Sequence, residues 1–308
     1  MRYLNPERIG NAIKTLRNIE GYTQQELAEY IGVTDKAVSK WERGISIPDI
    51  SVVTKLAGIL NTDVDNLLEG NISYLDEKWV GVLLLSELEG NISVDYRVYG
   101  KRLIDIWMSY FILANVRVVY IVGKSTDIEV AKKIYATGES LGIKVKYYSC
   151  AGGTLTEVIG KQNLMLVYDN IFLYGANLTR YFQRAMSRYN GISVLGIQHY
   201  KGKTLSYDKN KKIVQNNEYG TCARIPVMFC PGKYTKYFGT VYDVLKLKTN
   251  PKVPFYVEMC GNGLMKYEVH NLSELQNVSN YIYMTEMMTG NQIYDIKEIA
   301  RIRGFIDS

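Results

Sequence analysis

Up to residue 70 the apolar positions recur at helical spacing, and beyond residue 79 they gather into short unbroken runs. In the first stretch Ile9, Ile13 and Leu16 stand at i, i+4 and i+7 behind Asn5 and Pro6, a cap and a first-turn proline, which predicts a helix. Thr23 to Glu26, "TQQE", has the form of a capping box, the hydroxyl and the carboxylate each satisfying an orphan backbone donor at a helix start. Thr34 is placed to cap a helix over "DKAVSKWERG", which Gly44 ends. Pro48 and Asp49 open a fourth helix with Ile50, Val53, Leu56, Ala57 and Leu60 facing inward, and "DVDNLLEG" makes a short fifth. Five helices joined by turns of a few residues predict a small all-α domain over residues 1–70.

Residues 71–78 lack periodicity and read as a linker. From Trp79 the pattern changes class. Apolar strands at 79–85, 117–123, 143–149, 163–169 and 191–197 alternate with helical stretches at about 102–114, 127–141 and 178–190. That alternation predicts an α/β domain over 79–308, a doubly wound, mainly parallel, Rossmann-like sheet. Ligands in such sheets sit at the carboxyl ends of the strands, here the loop after Leu85 and the corner at Asp169. The stretch "LIDIWMSYFILANV" is apolar nearly all round, so it is either wholly buried or partly a subunit interface.

Composition narrows the class. With 47% hydrophobic and 22% charged residues the chain reads as an ordinary globular protein. No apolar run approaches the roughly 20 residues that span a bilayer, and the N-terminus lacks a signal peptide's apolar core, which predicts a cytoplasmic protein with no membrane partner. Cys150, Cys222, Cys230 and Cys260 form no CxxC pair and read as free buried thiols, and neither His199 nor His270 stands in a ligand pattern. The net charge of +6 is unevenly spread: residues 1–70 carry 8 Lys/Arg against 10 Asp/Glu, and the remainder 29 against 21. Any nucleic-acid argument therefore rests on placed residues and not on bulk charge.

Those placed residues carry a resemblance. The stretch "TQQELAEYIGVTDKAVSKWERGISIPD" resembles the helix-turn-helix of the Cro and lambda-repressor (XRE) family, and the match extends over residues 6–69. Its logic is visible in this chain: Leu27, Ala28, Ile31, Val33, Val38 and Trp41 bury the inner faces of two helices, and Gly32 permits the turn between them. The outer face of the second helix is left with Asp35, Lys36, Ser39 and Lys40. The resemblance implies that this helix enters the major groove of a duplex DNA operator from its Thr34 end. Lys36 and Lys40 would reach base acceptors, and Asp35 would accept from a cytosine amino group or order the helix start. Arg17, Gln24 and Arg43 would hold phosphates, and the heads would act in pairs, as a homodimer. The bland alternative is a helical bundle whose polar face serves protein contacts.

Beyond the linker, "YGKRLIDIWMSYFILANVRVVYIVG", "LMLVYDNIFLYGANLTRYFQRAM" and the closing "MCGNGLMKYEVHNLSEL" resemble sugar-1-phosphate nucleotidyltransferases of the glucose-1-phosphate thymidylyltransferase type, over residues 79–308, and "YDKNKK" at 207–212 matches that family's β-hairpin. The resemblance implies a glycine-rich loop with an arginine, a following lysine, and Mg²⁺ on two carboxylates, which together neutralise charge during attack on an α-phosphorus. This chain offers "LLSELEGNI" instead. Ser86 and Glu87 replace paired glycines, Glu89, Gly90 and Asn91 replace a glycine, a threonine and the arginine, and the lysine position falls on Ser93. The family's Glu-Lys-Pro segment is replaced by "QNNEYGTCA". Asp169 matches the first metal carboxylate and Glu268 the second, an aspartate in the family, so these two with Asn170 are the candidate ligand site and a residual Mg²⁺ site; Asn170 alternatively only turns the chain. No catalytic residue and no required cofactor is assigned.

The reading favoured is a sequence-specific DNA-binding transcriptional regulator whose degenerate nucleotidyltransferase-like domain senses a sugar nucleotide, nucleotide or sugar phosphate, or dimerises. The alternatives are a working transferase with a DNA-binding head, and a dimerisation scaffold that binds no small molecule. The reversed sign of the loop weighs against the transferase.

Overall fold

The computed structural model describes residues 4–20, 22–60, 62, 64–72, 79–85, 92–149, 159–175, 177–198, 204–214, 220–238 and 252–307. The loop from Ser86 to Asn91, Cys150, His199 and most of the expected linker lie outside the described residues.

The head consists of α1 (Pro6–Glu20), α2 (Gln24–Ile31), α3 (Asp35–Glu42), α4 (Ile50–Ile59) and α5 (Val64–Glu69). Its caps follow the local chemistry. Thr23 accepts from the Glu26 backbone N–H while the Glu26 carboxylate accepts from that of Thr23. Thr34 caps α3, Asp49 caps α4, and Gly32 ends α2 at φ 87° in the left-handed region. Ile9, Ile13, Leu16, Leu27, Val38, Trp41, Val53, Leu56 and Leu60 form one buried core.

Beyond it lies the α/β body. Strands β1 (Trp79–Leu84), β2 (Arg97–Val98), β3 (Lys101–Arg102), β4 (Val118–Gly123), β5 (Lys144–Ser149) and β6 (Asn163–Val167) are joined by α6 (Leu103–Leu113) and α7 (Ser125–Tyr135). There follow β7 (Ile171–Gly175), α8 (Leu178–Ser187), β8 (Ile192–Ile197), β9 (Thr204–Tyr207), β10 (Ile213–Val214) and β11 (Gly220–Cys230). A short α9 (Gly232–Thr235), β12 (Phe255–Cys260), β13 (Leu264–Glu268), α10 (Leu272–Thr289) and α11 (Ile296–Ile302) complete the described chain. β1 pairs in parallel with β4 and β6, and β4 with β5, as the alternation predicts. The sheet then turns mixed: β11 runs antiparallel between β6 and β8, and β12 is parallel to β8.

Helix α6 is buried from Leu103 to Ile112 within this one chain, between the sheet and the closing helices, which decides between the two expectations for it. The "YDKNKK" turn joins β9 to β10, with the Asp208 carboxylate accepting from the backbone of Asn210 and Lys212. Cys222, Cys230 and Cys260 are buried free thiols. Among the described residues no helix is long and apolar enough to cross a membrane.

Candidate nucleic-acid interface and carboxylate corner

Helix α3 presents the expected face. Asp35, Lys36, Lys40 and Arg43 are exposed and Ser39 is half-buried, while Val38 and Trp41 point into the head. The Thr34 hydroxyl accepts from Ala37 N, and Asp35 Oδ1 accepts from Lys36 N at 2.8 Å, so both are first of all helix-start residues. Arg43 Nε donates to the Ser39 carbonyl at 3.2 Å on the surface.

Arg17 and Gln24, expected to hold phosphates, are both engaged within the head. Arg17 makes a two-pronged ion pair with Glu42, at the end of α3, and its Nη1 donates to the Tyr22 carbonyl at 2.6 Å. Gln24 Nε2 donates to the same Glu42 carboxylate at 2.7 Å. With side-chain exposures of 11% for Arg17 and 3% for Glu42, the cluster is part of the head's interior and pins α3 to α1 and α2. Glu42 was the overlooked residue. Its signal was electrostatic: a carboxylate in the last turn of a helix opposes the macrodipole and needs a cation from elsewhere.

The carboxylate corner forms where β6 turns into β7. Asp169 and Asn170 both adopt left-handed backbone, at φ 56° and 48°, a conformation that these two residue types tolerate best after glycine. β7 then pairs antiparallel with β13 so that Ile171 faces Glu268, which brings the second expected carboxylate beside the turn. Glu268 is already engaged. Lys266 Nζ lies 2.6 Å from its Oε1 and donates at 3.0 Å to the Arg224 carbonyl, with only 4% of the Lys266 side chain exposed. His270 Nε2 stands 3.9 Å from Oε2. Tyr168 lies buried behind the turn with the Arg224 guanidinium 5.4 Å from its ring centre. Burial drives the Tyr168 phenol well above its ordinary range; Arg224 opposes this, and Asp169 and Glu268 add to it.

Mg²⁺ asks for a near-octahedral oxygen shell around a site that carries negative charge. Here a buried ammonium supplies the cation for Glu268, and among the described residues no three His, Cys, Asp or Glu side chains are grouped to hold a metal. With Glu268 held by the Lys266 ammonium, the pair does not fit Mg²⁺ as a two-carboxylate site. Lys266 and Arg224 went unnoticed in the sequence, although Lys266 stands two residues before Glu268 and so on the same face of its strand.

At the other end of β7 a cavity of about 520 Å³ opens between Leu173, Tyr174, the first turn of α8 (Leu178, Arg180) and residues Ile293 and Tyr294. It does not include the carboxylate corner. Arg180 belongs to both units, since its Nη2 also donates at 2.9 Å to the carbonyl of Glu20 in the head.

Comparison with known proteins accounts for the two units separately. Residues 13–67 match the Helix-turn-helix family. The chain is 37% identical over 67 residues to the SPbeta prophage-derived uncharacterized HTH-type transcriptional regulator YonR of Bacillus subtilis, covering 22% of this chain and 62% of that protein. It is 30% identical over 106 residues to the HTH-type transcriptional regulator SinR of Bacillus licheniformis, covering 30% of this chain and 96% of that one. Over 243 residues, 68% of this chain and 80% of the relative, it is 23% identical to glucose-1-phosphate thymidylyltransferase of Xanthomonas campestris pv. campestris. Two solved structures share the body's fold. A Bacillus anthracis protein described as a glucose-1-phosphate thymidylyltransferase in complex with a sucrose gives a TM-score of 0.51 at 10% identity, over 66% of this chain and 94% of that one. The inositol-1-phosphate CTP transferase of T. maritima gives 0.51 at 13%, over 73% and 97%.

Proposed function

Because the chain belongs, through its N-terminal head, to the HTH-type transcriptional regulators, we propose that its nucleotidyltransferase-like body no longer transfers nucleotides and instead senses a sugar nucleotide, nucleotide or sugar phosphate while pairing two heads on DNA. The observation that carries this reading is the Lys266 ammonium on Glu268. Transfer chemistry of the resembled class calls for Mg²⁺ on two carboxylates as well as fixed cations aimed at the phosphates. A buried lysine tied to the second carboxylate leaves the corner with a permanent charge partner, and "SELEGN" places two further anions after β1 where phosphates would need donors.

In this proposal Lys36 and Lys40 read base edges from the major groove, Asp35 and Thr34 order the helix start beside them, and Arg43 holds a phosphate. Two heads paired by the bodies meet an inverted repeat with half-sites about one helical turn, roughly 34–36 Å, apart. The metabolite is held near Asp169, Asn170 and Glu268.

The test is direct. Purified protein incubated with Mg²⁺, a nucleoside triphosphate and a hexose-1-phosphate releases no pyrophosphate above background, while a thermal-shift screen of nucleotides, sugar phosphates and nucleotide sugars finds a stabilising ligand. Steady pyrophosphate release that disappears in Asp169→Asn restores the transferase reading. A screen in which no metabolite stabilises the protein leaves the body as a pairing scaffold.

A further inference from the structure

Glu20, the last residue of α1, is buried at a helix C-terminus, where the last carbonyls already carry partial negative charge. The body compensates for it. Arg184 Nε donates to Glu20 Oε2 at 2.9 Å, Ser187 Oγ to Oε1 at 3.5 Å, and Arg180 Nη2 to the Glu20 carbonyl at 2.9 Å. All three donors lie on α8. The same Arg184 Nε is 3.3 Å from Oε1 of Glu258 on β12, whose other oxygen stands 3.9 Å from Arg188 Nη2. Lys211, in the β9–β10 turn, also bears on Glu258. Without the head, two arginines and a lysine face one buried carboxylate; Glu20 supplies the second. Removing one member of such a buried set leaves an uncompensated charge and is strongly destabilising.

We propose that α8 is the docking rail of the DNA-reading head, with Arg184 bridging a carboxylate from each unit, so that the body and not the intervening chain sets how α3 is presented to DNA. Tyr189, just past α8, packs against the head's core beside this bridge. The lock also reaches the reading helix along a short path. Two residues beyond Glu20, the Tyr22 carbonyl accepts from Arg17, and Arg17 holds Glu42 at the end of α3. On its other side α8 walls the cavity through Leu178, Arg180 and Gln183, so displacement of this one helix moves the head.

The inference rests on the reading of the head as a paired DNA-binding unit, and the experiment separates the two. Hydrogen exchange is followed in the full chain and in its Glu20→Gln and Arg184→Met variants, together with binding to operators whose half-site spacing is changed by about half a helical turn, roughly 5 base pairs. In both variants, exchange at the end of α1 and along α8 rises by on the order of tenfold or more, while β1 and the core of α3 keep their protection. The wild type loses on the order of tenfold in affinity on the altered spacing, the variants discriminate by less than about twofold, and binding to a single half-site is unchanged. Wild-type exchange and wild-type spacing preference in the variants overturn the proposal. If Arg184→Met does not fold, Glu20→Gln, which removes one charge from the head's side, decides alone. If the wild type selects no DNA sequence, the DNA reading fails, and the exchange measurement still decides whether the head is docked.

Discussion

A methyl group on Gly10 would lie 2.2 Å from the carbonyl oxygen of Trp41, so the close approach of α1 to the end of α3 depends on the absence of a side chain there. Gly10→Ala is expected to destabilise the head by about 1–3 kcal/mol, the usual cost of overpacking, read from hydrogen exchange of the amides in α1 and α3. The arginines of the head divide by a different measurement. Arg17→Ala breaks the interior pair with Glu42 and should cost about 3 kcal/mol of stability, while the salt dependence of DNA binding by the protein that remains folded is unchanged. Arg43→Ala should do the reverse, leaving stability alone, weakening all sequences alike and lowering the salt slope by about one. Lys40→Ala should cost about 1–3 kcal/mol at one base position and little elsewhere, which a binding-site selection reads directly.

At the scale of elements, β7 shows how a strand with one strand partner among the described residues is held in place. It pairs with β13, and three of its other backbone groups are met by two buried phenols. The Tyr110 hydroxyl accepts from Leu173 N at 2.8 Å and donates to the Ile171 carbonyl at 3.3 Å, and Tyr294 donates to the Leu173 carbonyl at 2.5 Å. Tyr110→Phe leaves the Leu173 N–H buried without this partner and should cost about 1–3 kcal/mol. Burial raises the Tyr110 and Tyr294 phenols well above the ordinary value of 10.0. Above about pH 10 the unfolded chain releases these protons while the folded chain keeps them, so their contribution is complete below that pH and declines as pH rises. Stability measured by urea melts should fall steeply above pH 10 in the wild type and less steeply in Tyr110→Phe.

At the scale of the whole molecule, a sensor must couple its sites. A metabolite can change operator affinity only by the difference in its own affinity for the two arrangements of the heads, and operator must change metabolite affinity by the same factor. Couplings of about 1–3 kcal/mol would appear as roughly 5- to 150-fold shifts in each direction. Titrating operator with and without the stabilising metabolite, and metabolite with and without operator, should give matching shifts that vanish in a folded Asp169→Ala variant. Ligand binding with no shift in either titration would remove sensing and leave the body as a pairing device.

What the sequence determined by itself was whatever depends on neighbours along the chain. The caps at Thr23, Thr34 and Asp49, the turn at Gly32 and the alternation of apolar runs with helices are short-range effects, and they suffice for an all-α head and a parallel start to the sheet. The exposed face of α3 was legible for the same reason, since helical period alone separates Lys36 and Lys40 from Val38 and Trp41. The remainder waited on contacts between distant residues. β11 escaped recognition because Pro226 interrupts it, and a proline argues against a central strand unless a bulge accommodates it; its register with β8 shifts between Ile225 and Met228, at that proline. Arg17 looks like a surface cation until Glu42, 25 residues away, is brought against it, and the burial of the Lys266 ammonium on Glu268 beside the Asp169 turn is seen only where β13 meets β7. Glu20 and Arg184 are 164 residues apart, and nothing local marks either as half of an interface. Periodicity is a property of the chain and can be read from it, whereas the partner of a buried charge is a property of the fold.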